Sequence, residues 1–215
     1  GTIWANYMER EGTAPPWRVL AEMNQWLAET HGIRALGTLG FENAYALAMR
    51  RSHAEELGIE TIADLAEHAG DMEIGGDYEF FGRPEWKSLS SAYGLAFQEQ
   101  TSFDSSIMYQ AVANGEADVI AAFSSDGRIA AFDLKVLRDP KNVIPPYDAV
   151  LLISPRLANH RELADTLKPL IGAINVELMR EANLKVDRKE DKMTPDQAAR
   201  WLAEHGDRDG RAGRV

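Results

Sequence analysis

Cysteine is absent from the 215 residues, which excludes disulfides, thiolate metal sites and thiol nucleophiles. Basic residues are scarce beside acidic ones: 23 Lys and Arg stand against 34 Asp and Glu, a net charge of −11. Neutralising phosphates needs the opposite balance, so nucleic acid is excluded as a partner. No stretch approaches the roughly 20 consecutive apolar residues that span a bilayer. Gly1-Thr-Ile-Trp4 lacks the basic and apolar regions of a secretory signal. His31, His53, His68, His160 and His205 are scattered, without the spacing of a metal site. There is no G-x-S-x-G and no P-loop; Gly37-Thr-Leu-Gly40 is too short and has no lysine. These absences describe a protein that binds rather than reacts, with no cofactor and no metal expected.

What is present is an ordinary folding composition, 45% hydrophobic and 27% charged. Pro15-Pro16 followed by Trp17, Leu20, Met23 and Leu27, with Gly32 as a cap, predicts a helix over 16–31. Short strands are expected at 33–36, at 72–74 ending in Gly75-Gly76, at 119–123 and at 149–153. The alternation of Tyr45, Leu47 and Met49 with alanines makes 41–49 extended. Thr61-Ile-Ala-Asp64 resembles a capping box. Helices follow from Pro84, over 105–114, over 163–180 with Pro169 as a warning of a break, and from Thr194-Pro-Asp-Gln197. Strands alternating with helices argue for an α/β architecture with largely parallel sheets.

Four phrases in the middle of the chain carry the candidate chemistry. They are Phe41-Glu-Asn-Ala-Tyr-Ala-Leu-Ala-Met-Arg50, Asp77-Tyr-Glu-Phe-Phe-Gly-Arg83, Gly115-Glu-Ala-Asp-Val-Ile-Ala-Ala-Phe123 and Pro145-Pro-Tyr-Asp148. Aromatic faces attract a cation through the ring quadrupole, and a guanidinium grips a carboxylate with two parallel hydrogen bonds. Tyr45, Phe123, Tyr147 and Arg83 therefore suit a small zwitterion with a quaternary ammonium at one end and a carboxylate at the other. Each residue also has a plainer reading. Tyr45 and Phe123 are strand residues that pack, Tyr147 is a turn aromatic, and Glu79 with Arg83 forms an exposed ion pair. Ser124-Ser-Asp-Gly127 reads equally as a turn or as an anion site at a strand end.

In this order and spacing, from Gly1 to about Leu202, the phrases resemble the substrate-binding component of glycine betaine/carnitine/choline ABC transporters. The resemblance implies a bilobal type II periplasmic-binding-protein fold of the Venus-flytrap kind, with the ligand in the cleft between lobes. The first lobe would be formed by 1–43 and 148–205 and the second by 44–147, with 206–215 a flexible tail. Gly1-Thr-Ile-Trp4 looks like the end of the family's Glu-Tyr-Thr-Gly-Thr stretch, so the first lobe is expected to be incomplete at its N-terminus. A dimer, or a partner chain supplying the missing segment, would then cover its sheet edge.

Carried over by position, Tyr45 and Tyr147 match cage aromatics, and Arg83 matches the residue that holds a ligand carboxylate, with Glu79 in the same loop. Phe123 stands where the family often has Tyr, keeping the π face and losing a hydrogen bond. Asn43 stands where the family carries Asp, and Thr2 falls at the cleft edge. Phe103 and Tyr109 are taken as packing. The resemblance implies a periplasmic or otherwise extracytoplasmic protein that delivers a quaternary-ammonium solute to a membrane permease. Choline, carnitine and other betaine-like ligands remain alternatives, as does an effector-sensing domain of the same fold.

Overall fold

A proline at the first helical position sacrifices only an N–H that has no intrahelical acceptor, and Pro16 opens the first helix in this way. The computed structural model describes residues 2–10, 14–188 and 190–206. Helix α1 (Pro16–His31) buries Val19, Met23 and Leu27, one turn apart, and stops where Gly32 turns left-handed at φ 63°. Trp4, in a preceding π-helical turn (Ile3–Tyr7), is buried and donates from Nε1 to Glu22 Oε2 at 3.2 Å. Strand β1 (Arg34–Glu42) follows.

The chain then forms β2 (Tyr45–Arg50), α2 (Arg51–Leu57), α3 (Ile62–Ala66), β3 (Glu73–Asp77), α4 (Pro84–Tyr93) and β4 (Glu99–Phe103). It continues with α5 (Met108–Asn114), β5 (Val119–Phe123), α6 (Arg128–Ala131) and β6 (Leu134–Val136). After Pro145 come β7 (Asp148–Ile153), α7 (Arg161–Leu167), α8 (Val176–Asp187) and α9 (Pro195–His205). Two compact units result: residues through Asn43 together with those from Pro145 onward, and Ala44–Ile144. The second unit thus ends at Ile144 rather than at the expected Tyr147. The reason is local, because the Tyr147 N–H donates to Glu42 Oε2 at 3.1 Å and its carbonyl accepts from the Asn43 N–H at 3.2 Å.

In the first unit β1 pairs antiparallel with β7, and α1 and α8 pack on β1. The single helix expected over 163–180 is broken. Pro169 sits in a 3-10 turn (Lys168–Leu170), and the helix restarts at Val176 under an Asn175 side-chain cap. Thr194 and Gln197 form a full capping box at α9, and Lys185 lies 4.4 Å from the Trp201 ring. The tail expected from 206 lies, beyond Gly206, outside the described residues.

The second unit holds a five-stranded sheet in the order β4-β3-β5-β2-β6. β3 runs parallel to β4 and β5, whereas β2 runs antiparallel to β5 and β6. Largely parallel pairing was expected, and the mixed sheet corrects it: element order and apolar pattern carry no strand direction. β2 and β5 are buried on both faces. Leu47, Met49, Val119 and Ala121 join one core with Ile62, Leu65, Phe80 and Leu89. Ala48, Ile120 and Ala122 join another with Met108, Tyr109 and Ile129.

Gly75 and Gly76 lie inside β3 rather than ending it, because rings pack over them. A Cβ on Gly75 would stand 2.9 Å from the Phe103 ring and 3.3 Å from Ile120. One on Gly76 would stand 3.0 Å from both Phe80 and Phe81. Gly75→Ala is expected to destabilise the fold by about 1–3 kcal/mol through this overpacking. Urea unfolding measures it, and an unchanged midpoint would contradict the packing described.

Candidate functional site

The β2–β5 ladder carries the site. Its register pairs Tyr45 with Phe123 at one end, and their ring centroids lie 5.0 Å apart at 33°. Ser124 closes the same end: its Oγ accepts from the Ala44 N–H at 3.0 Å, and its own N–H donates to the Ala44 carbonyl at 2.8 Å. Phe80 is 1% exposed, with its ring centroid 5.0 Å from that of Tyr45. Tyr45 therefore packs as any strand aromatic would, yet remains half-buried beside two apolar rings.

Its hydroxyl has a charged acceptor. Tyr45 Oη donates to Asp77 Oδ2 at 2.9 Å. Asp77 is the last residue of β3, and its Oδ1 accepts from the backbone N–H of Glu79 at 2.8 Å and of Phe80 at 2.9 Å. This turn passes through a 3-10 segment (Phe80–Gly82) to Arg83, which caps α4. Burial and then the Asp77 carboxylate push the Tyr45 phenol up to about 12, so it is a neutral donor at physiological pH.

Arg83 Cζ lies 5.4 Å from the Tyr45 ring centroid, and Nη2 lies 3.3 Å from Glu79 Oε2. Burial works against the guanidinium charge, but Tyr45, Glu85 and Glu79 outweigh it and raise its pKa. Arg83 Nε is buried with no hydrogen-bond partner among the described residues. A buried donor left in that condition is costly, and an acceptor reaching the guanidinium edge relieves it.

Phe123 is anchored from behind. Tyr109 is fully buried, and its hydroxyl accepts the Phe123 N–H at 2.9 Å. Arg128 lies 4.0 Å over the Tyr109 ring and bonds Asp126 through Nε at 3.0 Å and Nη2 at 2.6 Å. Burial alone would raise the Asp126 carboxyl; its bonds from Arg128 and Tyr109 bring it below the usual range. Asp126 is thus a turn residue that locks its neighbours.

The structure brings Tyr45, Arg83, Glu79 and Phe123 together in the second unit. Asn43 and Tyr147 meet in the first unit through the backbone bond already described. Thr2 is exposed ahead of the Ile3–Tyr7 turn and makes no side-chain capping bond. Sequence reasoning passed over Asp77 and Phe80, although both lie in a phrase it singled out. An Asp followed by two residues whose N–H groups fold back onto it was the available signal.

A family model described as the substrate binding domain of ABC-type glycine betaine transport systems matches residues 3–204. The chain belongs to this family. Among its relatives, carnitine transport binding protein OpuCC of Listeria monocytogenes is 30% identical over 192 residues, 88% of this chain and 62% of that protein. A glycine-betaine-binding protein of Pseudomonas aeruginosa is 32% identical over 193 residues, 83% of this chain and 61% of that protein. The chain thus spans about three-fifths of the length of these curated relatives.

A crystal structure of a glycine betaine/carnitine/choline ABC transporter protein superposes with a TM-score of 0.87 at 29% identity, covering 95% of this chain and 76% of that one. The resemblance read from the sequence and the α/β class of this substrate-binding family are both borne out. Within the family fold, Tyr109→Phe should leave the part-buried Phe123 N–H without its acceptor and cost about 1–3 kcal/mol. Chemical denaturation against wild type checks this, and equal stability would contradict the anchoring described.

Proposed function

We propose that the chain is the ligand-binding domain of an ABC importer for a zwitterion bearing a quaternary ammonium and a carboxylate, of the glycine betaine type. The observation that carries the reading is the pairing, within one unit, of an aromatic cluster with the partly unsatisfied guanidinium of Arg83. A quaternary ammonium offers no N–H to donate, so it must be recognised by shape and by aromatic faces. Each such contact adds about 0.5–2 kcal/mol when desolvated. Tyr45 and Phe123 supply those faces.

Arg83 supplies the carboxylate grip. Its present partner, Glu79, is 75% exposed at the side chain. An exposed pair contributes only about 0–1 kcal/mol, so a ligand carboxylate displaces Glu79 at little cost. Lysine would lack the planar fork that binds both carboxylate oxygens. Tyr147, Asn43 and Thr2 enter the proposal as further ligand-contacting residues on the family pattern alone.

In this reading the domain acts outside the cytoplasm and presents its ligand to a membrane permease. No helix among the described residues is long and apolar enough to cross a membrane. A further strand, from a second copy or another segment, would extend the two-stranded β1–β7 sheet of the first unit.

Titration calorimetry with glycine betaine, carnitine and choline tests the proposal, with thermal shift as a second readout. Wild type is expected to bind the two zwitterions more tightly than choline, which has no carboxylate. Arg83→Ala should abolish betaine binding while leaving the circular dichroism spectrum and cooperative unfolding unchanged. Undiminished affinity in that soluble variant would sink the assignment of Arg83.

A further inference from the structure

Resting on that functional reading, we propose that Asp77 is a positioning residue for cation recognition, acting through the hydroxyl of Tyr45. One carboxylate serves two structures. Oδ2 accepts from Tyr45 Oη at 2.9 Å, and Oδ1 accepts the two N–H groups that fold the turn leading to Arg83. The aromatic that faces the ammonium and the turn that presents the guanidinium are thereby tied to the same side chain.

The consequence for Tyr45 is electronic as well as geometric. A phenol donating to a carboxylate gains partial negative charge on its oxygen, and the π system gains electron density with it. A richer ring binds a cation more strongly. The bond also fixes the ring against Phe80 and Phe123, at 49° and 33°. Tyr93 and Tyr109 also bond carboxylates, those of Asp139 and Asp126, but both are buried, whereas Tyr45 is half-buried at the end of its strand.

Asparagine separates the two functions of Asp77. Its carbonyl oxygen can still accept from the turn, while its amide presents a donor to Tyr45 and the negative charge is gone. Calorimetry of the 215-residue chain with glycine betaine, using wild type, Asp77→Asn, Tyr45→Phe and the double variant, provides the test. Asp77→Asn is expected to weaken binding roughly three- to tenfold. Tyr45→Phe, which keeps the ring and removes the hydroxyl, should weaken it by a similar factor. The double variant should lose no more than either single one, because both changes cut the same bond.

Unchanged affinity in Asp77→Asn, or fully additive losses, would overturn the proposal while leaving the functional reading intact. Wild-type protein that fails to bind glycine betaine would overturn both. If Asp77→Asn does not unfold cooperatively, Tyr45→Phe decides alone: undiminished affinity there refutes a role for the Tyr45–Asp77 bond.

Discussion

The site depends on the antiparallel pairing of β2 with β5. These neighbouring strands are buried on both faces, so a one-residue slip would send Leu47 and Met49 into the space filled by Ala48 and its neighbours. Leu47 and Met49 of β2 face one core and Ala48 the other, so the register shown fits the large side chains and the small one each to its own side. That register places Tyr45 opposite Phe123. The aromatic pair is thus a by-product of core packing several residues away, which makes its geometry hard to disturb.

Around that pair the charges are arranged in sequence. Asp77 holds the Tyr45 hydroxyl, the same carboxylate folds the turn, and the turn delivers Arg83 to within 5.4 Å of the Tyr45 ring. Behind β5, Asp126 and Arg128 brace Tyr109, whose hydroxyl holds the Phe123 backbone. Each ring is therefore supported by a carboxylate that has no need to touch a ligand. Tyr45 stands at a strand end and Arg83 at a helix cap, so the ring and the guanidinium are held by different elements.

Local chemistry was readable wherever one residue type had one physical use. Pro16 and Gly32 bound α1, Thr61 and Asp64 cap α3, and Val119–Phe123 form β5 as expected. The misses share a cause. Glu99–Phe103 is a polar edge strand, so no apolar run announced it. Arg51–Leu57 has a single buried residue, Ala54, and so lacks a visible stripe. Gly75 and Gly76 read as a strand end because their lost side chains are replaced by Phe103, Phe80 and Phe81, rings distant or ambiguous in the sequence.

The sequence by itself determined the class of the protein: its α/β character, the aromatic and guanidinium groups it carries, and the family to which their spacing belongs. Those properties reside in residue type and separation, which folding does not alter. Only the tertiary structure decided that Tyr45 meets Phe123, that Asp77 joins a tyrosine hydroxyl to the Arg83 turn, and that Tyr147 belongs with Asn43 instead of Arg83's unit. Strand direction and register arise from contacts between segments tens of residues apart, and no local pattern encodes which of those contacts form.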